Sequence, residues 1–314
     1  MCGSGYHVNL IITLTINPAI DRTVSVDKLV FEDRAYILDR TEAAGGRGLN
    51  ASRVIHAFGG KTLALLTCGA SISKLIASVE FPFECVPVKT DSRTNFTISD
   101  KQGLTVKLNE VGEPPDKREL KEIHDLVDAR LAKAQWIMIC GSVPPGVPPH
   151  FYCEIIQLAK KRGVKTLLDT DGEALVHALE AKPTVITPNQ HEGERLLGRA
   201  LITRSQCLEA LDRIQKMGPE SVILSLGSRG AIGSGPEGVF EALPPHVDAL
   251  CPIGAGDAMA AAFTWSMEKK KTFAESLRWG VAAGTAKATL PGMTFPTLEQ
   301  TRAIYKQVEL KQAR

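Results

Sequence analysis

Residues 136–169, WIMICGSVPPGVPPHFYCEIIQLAKKRGVKTLLD, contain one complete unit of a pattern that recurs along the chain. WIMIC and KTLLD are short apolar runs of strand length. Between them, PHFYCEIIQLAKK spaces its apolar residues three and four apart, the period of an amphipathic helix. Strand, helix and strand in that order, with apolar strands that show no polar alternation, describe a crossover unit in a parallel sheet covered on both faces.

The same alternation extends outward. NLIITLTI, KTLALLTC, TVIT and SVILSL read as further strands, and LNASRVIHAF, KRELKEIHDLV and SQCLEALDRIQKM as further helices. The prediction is a doubly wound α/β fold, a mainly parallel sheet flanked by helices. Two regions break the rhythm. Residues 22–40 and 93–109 alternate like strands and carry turns but no helix, so they are predicted to be antiparallel hairpins forming a small separate sheet. A half-exposed sheet of that kind commonly covers a site or a partner subunit. The 314 residues show no internal repeat or low-complexity linker, and a single domain over 1–314 is expected.

Composition narrows the function classes. Hydrophobic residues make up 44% and charged residues 23%, and the net charge of +2 leaves no electrostatic footprint for nucleic acid. KKK at 269–271 sits where a helix ends, and its cations complement the helix dipole. The N-terminal apolar run is too short to span a membrane, lacks a basic leader and stops at Pro18, so a first strand is expected there. MCGSG carries no pattern and is expected to fray. The seven cysteines are widely separated and include no CxxC. Cys68 and Cys140 fall inside apolar strands and are expected as reduced core thiols, which favours a cytoplasmic location.

In an open parallel sheet, ligands bind beyond the carboxyl ends of the strands. The loops there read NPAID (17–21), GGRGLN (45–50), CGSVPPG (140–146), DTDGE (169–173), TPNQHE (187–192), SLGSRG (225–230) and PIGAGD (252–257). No GxxxxGK[ST] occurs, no GxGxxG follows the first strand, and no HExxH or His/Cys cluster suggests zinc. Ser142 lies in GSVPPG and not in a GxSxG elbow.

PIGAGD runs into the helix formers AMAAAF and supports two readings. Small residues with Asp257 could simply cap a helix. Alternatively, Gly254, Ala255 and Gly256 leave amides at a helix N-terminus open to an anion, with Asp257 placed to accept a hydroxyl proton. TPNQHE is similarly double. Asn189 and Glu192 form a capping box, and their oxygens also suit Mg²⁺. SLGSRG could bring backbone up to a nucleotide or merely turn a hairpin into AIGSG. GGRGLN combines glycines, a cation and an amide, a cradle for sugar hydroxyls and phosphate.

Taken together and in this order, NPAID, GGRGLN, RTN, GSVPPG, NxxE and the closing GAGD resemble the ribokinase-like carbohydrate kinases, the phosphofructokinase B family, from about Ile11 to about Pro291. TINPAIDRTV, GGRGLNASRV, SRTNFTI and GSVPPGVP are similar to its 1-phosphofructokinase and tagatose-6-phosphate kinase branch. The resemblance implies ATP and Mg²⁺ as cofactors, with a monovalent cation as a further candidate, and γ-phosphoryl transfer to a ketohexose phosphate, fructose 1-phosphate or tagatose 6-phosphate. It implies Asp257 as catalytic base with Gly254, Ala255 and Gly256 as anion hole. Asp21, Gly45, Gly46, Arg47 and Asn50 match the positions that hold the sugar, Arg93 a phosphate-binding arginine and Ser142 a substrate contact. Asn189 and Glu192 would serve Mg-ATP with Asp169 nearby, and Ser225, Gly227, Gly230, Val281 and Thr285 would flank the nucleotide. The hairpins match a β-lid that closes over the sugar and pairs in a homodimer, with Arg34 reaching toward a substrate phosphate.

Three departures qualify the branch. Thr187 stands where the sugar-phosphate kinases carry Lys, Arg47 replaces the commoner Lys, and the segment after Cys68 is short and lacks GxDxxG. Thr187 favours a kinase of an unphosphorylated sugar or nucleoside, whereas two cations, Arg47 and Arg93, favour an anionic acceptor. A non-catalytic sensor of nucleotide or sugar phosphate is the alternative from another class, and the presence of Asp257 argues against it.

Overall fold

The computed structural model describes residues 9–313. MCGSG, expected to fray, lies outside the described residues. β1 (Leu10–Thr15) leads into a hairpin of β2 (Ala19–Val26) and β3 (Ile37–Gly45), followed by α1 (Arg47–Ala57) and β4 (Lys61–Cys68). The short helix α2 (Ala70–Ile76) and β5 (Phe83–Pro87) precede a second hairpin, β6 (Arg93–Asp100) and β7 (Thr105–Asn109). Crossover units follow: α3 (Lys117–Leu131), β8 (Trp136–Cys140), α4 (Phe151–Lys161), β9 (Lys165–Asp169), α5 (Gly172–Leu179), β10 (Val185–Ile186), α6 (Gln190–Leu197), α7 (Arg204–Gln215) and β11 (Ser221–Ser225). The chain closes with β12 (Ala231–Gly235), β13 (Gly238–Leu243), α8 (Ala255–Glu268), α9 (Phe273–Ala288), α10 (Leu298–Tyr305) and β14 (Glu309–Gln312).

The large sheet runs β14-β13-β12-β11-β10-β9-β8-β1-β4-β5. From β5 to β11 every pairing is parallel, and β12, β13 and β14 add an antiparallel margin. Helices cover both faces because the central strands are apolar on both. Ile123, Val127, Ile156 and Leu211 close one side. Val54, Phe263 and Leu277 close the other. Each such fully buried side chain contributes about 1.5–3 kcal/mol relative to exposure. α8 is buried nearly all round from Ala258 to Ser266, which is why its sequence is alanine-rich and without a polar stripe.

The small sheet has the order β3-β2-β6-β7. The two expected hairpins are antiparallel, and they are joined through a parallel seam between β2 and β6, with Ala19 opposite Arg93 and Asp21 opposite Asn95. One face is polar. Thr23, Thr97, Ser99 and Lys107 look across a cavity toward Cys251 and Ile253. The other face carries Phe96 and Ile98, with Val106 and Leu108 exposed beside them. Arg34 lies exposed in the connection between β2 and β3.

One cysteine departs from expectation. Cys68 is not a free thiol but forms a disulfide with Cys85, with Cα atoms 5.7 Å apart. The reason is topological: β5 lies beside β4, Leu66 faces Cys85, and the two thiols meet between adjacent strands. Cys140 is a buried free thiol, as expected. Among the described residues, no helix is long and apolar enough to cross a membrane.

Candidate active site

The loops expected to carry chemistry converge above the carboxyl ends of the parallel strands. Asp257 sits in the first turn of α8, and it does not cap the helix. Gly254 occupies the N-cap with φ 80° and no side-chain cap bond. The Ala255 amide donates to the Pro252 carbonyl at 3.1 Å, so its N–H is already committed. The Gly254 and Gly256 amides meet no acceptor among the described residues, and the positive end of a fourteen-residue helix stands behind them.

The Asp257 carboxylate accepts a 2.8 Å hydrogen bond from the side-chain amide of Asn50 on α1. Its pKa is pushed up to about 7, chiefly by burial and then by the Asp169 charge, against the opposing pull of Asn50 and Arg47. A carboxylate so placed takes a proton readily near neutrality. Asn50 is held in turn by Arg53, which donates to the Asn50 side-chain oxygen at 3.3 Å and to the Ala44 carbonyl at 3.0 Å. Arg53 was missed by sequence reading. Its place one helical turn after Asn50 is the signal that could have found it.

Arg47 parts company with the other residues expected to hold the sugar. The Arg47 guanidinium bonds Asp169 at 3.0 Å and Glu192 at 3.3 Å, with Asp171 at 3.7 Å. Its basicity is raised further, first by Asp169, and its ion-pair partners come from two loops, DTDGE and TPNQHE. Glu192 takes the capping part the sequence offered, and it also pairs with Arg47, which the sequence did not suggest. One oxygen accepts from the Asn189 amide in a complete capping box, and the other faces Arg47. Burial raises the Glu192 pKa despite that partner.

These groups line a cavity of about 170 Å³ with Thr187, Ser225, Gly256 and Asp257. Carboxylate and hydroxyl oxygens suit Mg²⁺, and among the described residues the buried Thr187 hydroxyl has no hydrogen-bond partner. Yet among the described residues no three carboxylate, His or Cys side chains are grouped to hold a metal by themselves. Glu192 and Asp169 therefore form no cage. The donor set fits an ion that arrives on nucleotide phosphates and keeps several waters.

Among the residues expected to hold the sugar, Asp21 accepts from Asn95 at 2.9 Å, and burial raises its pKa. A Cβ at position 45 would overlap the Asp21 carboxylate, so Gly45 is what admits it. Gly46, with φ 125°, turns the chain into α1. Arg93 donates to the carbonyls of Asn17 and Glu110, and among the described residues it pairs with no carboxylate. Its charge remains available to an anion. The buried Asn17 side chain bridges Ser142 and Val111, which fixes the Ser142 hydroxyl.

On the other side of Asp257 lies a cleft of about 380 Å³. Ser225 and Gly256 line it as well as the smaller cavity, so the two adjoin. Gly227, Gly230, Val281 and Thr285 all face it, with Pro244, Val247 and Met259 supplying apolar walls. The SLGSRG turn is a hairpin turn that also borders this cleft. It closes the hairpin of β11 and β12, and its glycines at φ 62° and 85° edge the cleft.

Comparison with known proteins agrees with this geometry. Residues 9–300 match the pfkB family carbohydrate kinase profile. The chain is 28% identical to ATP-dependent 6-phosphofructokinase isozyme 2 of Escherichia coli, covering 94% of this chain and 97% of that one. It is 30% identical to the Mycobacterium tuberculosis protein of the same description, covering 90% and 85%. Crystal structures of E. coli phosphofructokinase-2 superpose with TM-scores of 0.89 in complex with potassium and 0.87 in complex with fructose-6-phosphate. Identities are 29% and 28%, and coverage is 95% and 97% of this chain against 98% and 99% of theirs. An apolar nucleotide-sized cleft, a carboxylate at an amide-lined helix start and a matched sequence profile converge: this chain belongs to the pfkB family of carbohydrate kinases, phosphotransferases that act on a sugar hydroxyl.

Proposed function

We propose that this protein transfers the γ-phosphoryl group of ATP to a hydroxyl of a ketohexose phosphate, with Asp257 as general base. The observation that carries this reading is the Asp257 carboxylate itself. Its pKa is near neutrality, Asn50 orients it, and it lies beside open amides where the two cavities meet. The acceptor hydroxyl gives its proton to Asp257, and the Gly254 and Gly256 amides receive the charge that develops on the phosphoryl oxygens. Mg²⁺ bound to the nucleotide would neutralise phosphate charge, and Asp169, Asn189 and Glu192 would hold it through water. Asp21, Gly45, Gly46 and Asn50 bind the sugar, Ser142 touches it, and Arg93 takes its phosphate. Arg47 acts from the acidic cluster and not from the sugar pocket. The chain works as one catalytic unit, closed by the small sheet, with Arg34 at the rim.

Fructose 6-phosphate is the first acceptor to try, because the relatives at 28–30% identity are 6-phosphofructokinases. Fructose 1-phosphate and tagatose 6-phosphate are next. The unpartnered Thr187 hydroxyl supports a second reading, an unphosphorylated sugar or nucleoside. A coupled assay of ADP release over these acceptors and free fructose separates them. Arg93→Ala should raise KM for phosphorylated acceptors roughly tenfold or more and leave free sugars alone. Tight ATP binding with no ADP release on any acceptor would sink the kinase reading.

The apolar outer face of the small sheet supports a homodimer formed through it. A dissociable monovalent cation is left out of this reading, because a lysine ammonium already stands beside the phosphoryl-binding turn.

A further inference from the structure

Lys287, in the last turn of α9, is completely buried and has no carboxylate within ion-pair distance among the described residues. Its ammonium donates to the Gly292 carbonyl at 2.9 Å and the Cys251 carbonyl at 3.4 Å, and it lies 5.6 Å from the centre of the Phe295 ring. An unpaired charge in the interior is costly, and a methionine would fill the same space without that cost. Mere packing therefore does not account for it.

Its surroundings are those of the phosphoryl-binding turn. A Cβ placed on Gly254 would stand 3.5 Å from the Lys287 side chain and 3.0 Å from Phe295, so both side chains lie directly against the anion-hole glycine. The Leu250 and Cys251 amides donate to the Ala288 carbonyl at 2.8 and 3.0 Å. The end of α9 thus grips both polar groups of Cys251, one through backbone and the other through the Lys287 ammonium. Converging carbonyls are the ligands of a weakly hydrated monovalent cation, and an ammonium is such a cation tethered to the chain.

We propose that Lys287 is a positioning residue, a built-in cation that fixes the 250–254 turn for phosphoryl transfer and makes the enzyme independent of any dissociable monovalent cation. This rests on the kinase reading for its effect on rate, but not for its effect on cation binding.

The test compares wild type, Lys287→Ala and Lys287→Met in tetramethylammonium chloride and in KCl at about 100 mM, a concentration well above a millimolar Kd. Wild-type kcat and Tm should be the same in both salts. Lys287→Ala should lose roughly tenfold or more in kcat, with a smaller change in acceptor KM, and K⁺ should restore most of the loss. K⁺ should also raise the Tm of Lys287→Ala alone. Lys287→Met fills the space and should stay folded, slow and unrescued. The proposal is overturned by K⁺ stimulation of wild type, by near-normal kcat in Lys287→Met, or by a folded Lys287→Ala in which K⁺ changes neither rate nor Tm. If Lys287→Ala does not fold in either salt, kcat of Lys287→Met decides. If wild type turns over no acceptor, the Tm comparison decides, and only the kinase reading fails.

Discussion

Asn50 and Asp257 are 207 residues apart in sequence, and a 2.8 Å hydrogen bond from amide to carboxylate joins them. That bond stabilises the charged form of Asp257 against burial and the Asp169 charge. In wild type, kcat/KM should rise with pH through an apparent pKa near 7. Asn50→Ala removes the one side-chain hydrogen bond that, among the described residues, favours the carboxylate, so the rising limb should move to higher pH. A pH–rate profile that stays put would show that Asn50 does not tune the base.

Asp257→Asn should cost on the order of 10² or more in kcat while nucleotide binding is kept. It should also stabilise the fold at alkaline pH. The folded pKa is raised above 3.8, so ionisation disfavours the native state, and stability falls as pH rises from about 4 through about 7. Asparagine does not ionise. The Tm advantage of the variant should therefore be full above about 7 and absent below 3.8. Melting curves at pH 4 and pH 8 check the sign, and an advantage that grew toward acid would refute it.

Arg47→Met leaves Asp169 and Glu192 close together without their cation. With the Arg47 side chain 32% exposed, the loss of stability should be about 1–2 kcal/mol, less than for a fully buried pair. The freed carboxylates should bind Mn²⁺ more tightly than wild type does in the absence of nucleotide, measured by titration calorimetry. Unchanged or weaker Mn²⁺ binding would mean that Arg47 does not compete for this pocket.

Leu108→Asp places a charge on the outer face of the small sheet, where Leu108 is 55% exposed beside Val106. If that face joins two copies, the variant should sediment as a monomer where wild type is a dimer. A wild-type protein that is monomeric at micromolar concentration would remove the dimer.

The frame of the fold was legible because it is local. Apolar runs and three-to-four spacings located β1, β4, β8 and β9 and α1, α3, α4 and α7 close to where they lie. Asp257 was legible too, since a lone acid among small residues before an alanine-rich helix is an uncommon arrangement. What depended on distant partners was not. Arg47 reads as a sugar-side cation in GGRGLN, and only the folded sheet brings Asp169 and Glu192, 122 and 145 residues away, to it. Lys287 drew no reading from the sequence, because its place depends on how the Cys251 and Gly292 loops return to it. The Cys68–Cys85 pair needed the position of β5, which no strong strand pattern announced.

The parallel seam between β2 and β6 has a mechanical consequence. Eight consecutive residue pairs weld the two hairpins into one plate, and Asp21, Arg93 and Asn95 all ride on it. Residues recruited from separate stretches of chain thus share a single sheet. If the plate swings, it carries the proposed hydroxyl contacts and the proposed phosphate contact together, so on that reading a sugar phosphate is gripped or released in one stroke, with no half-held state between.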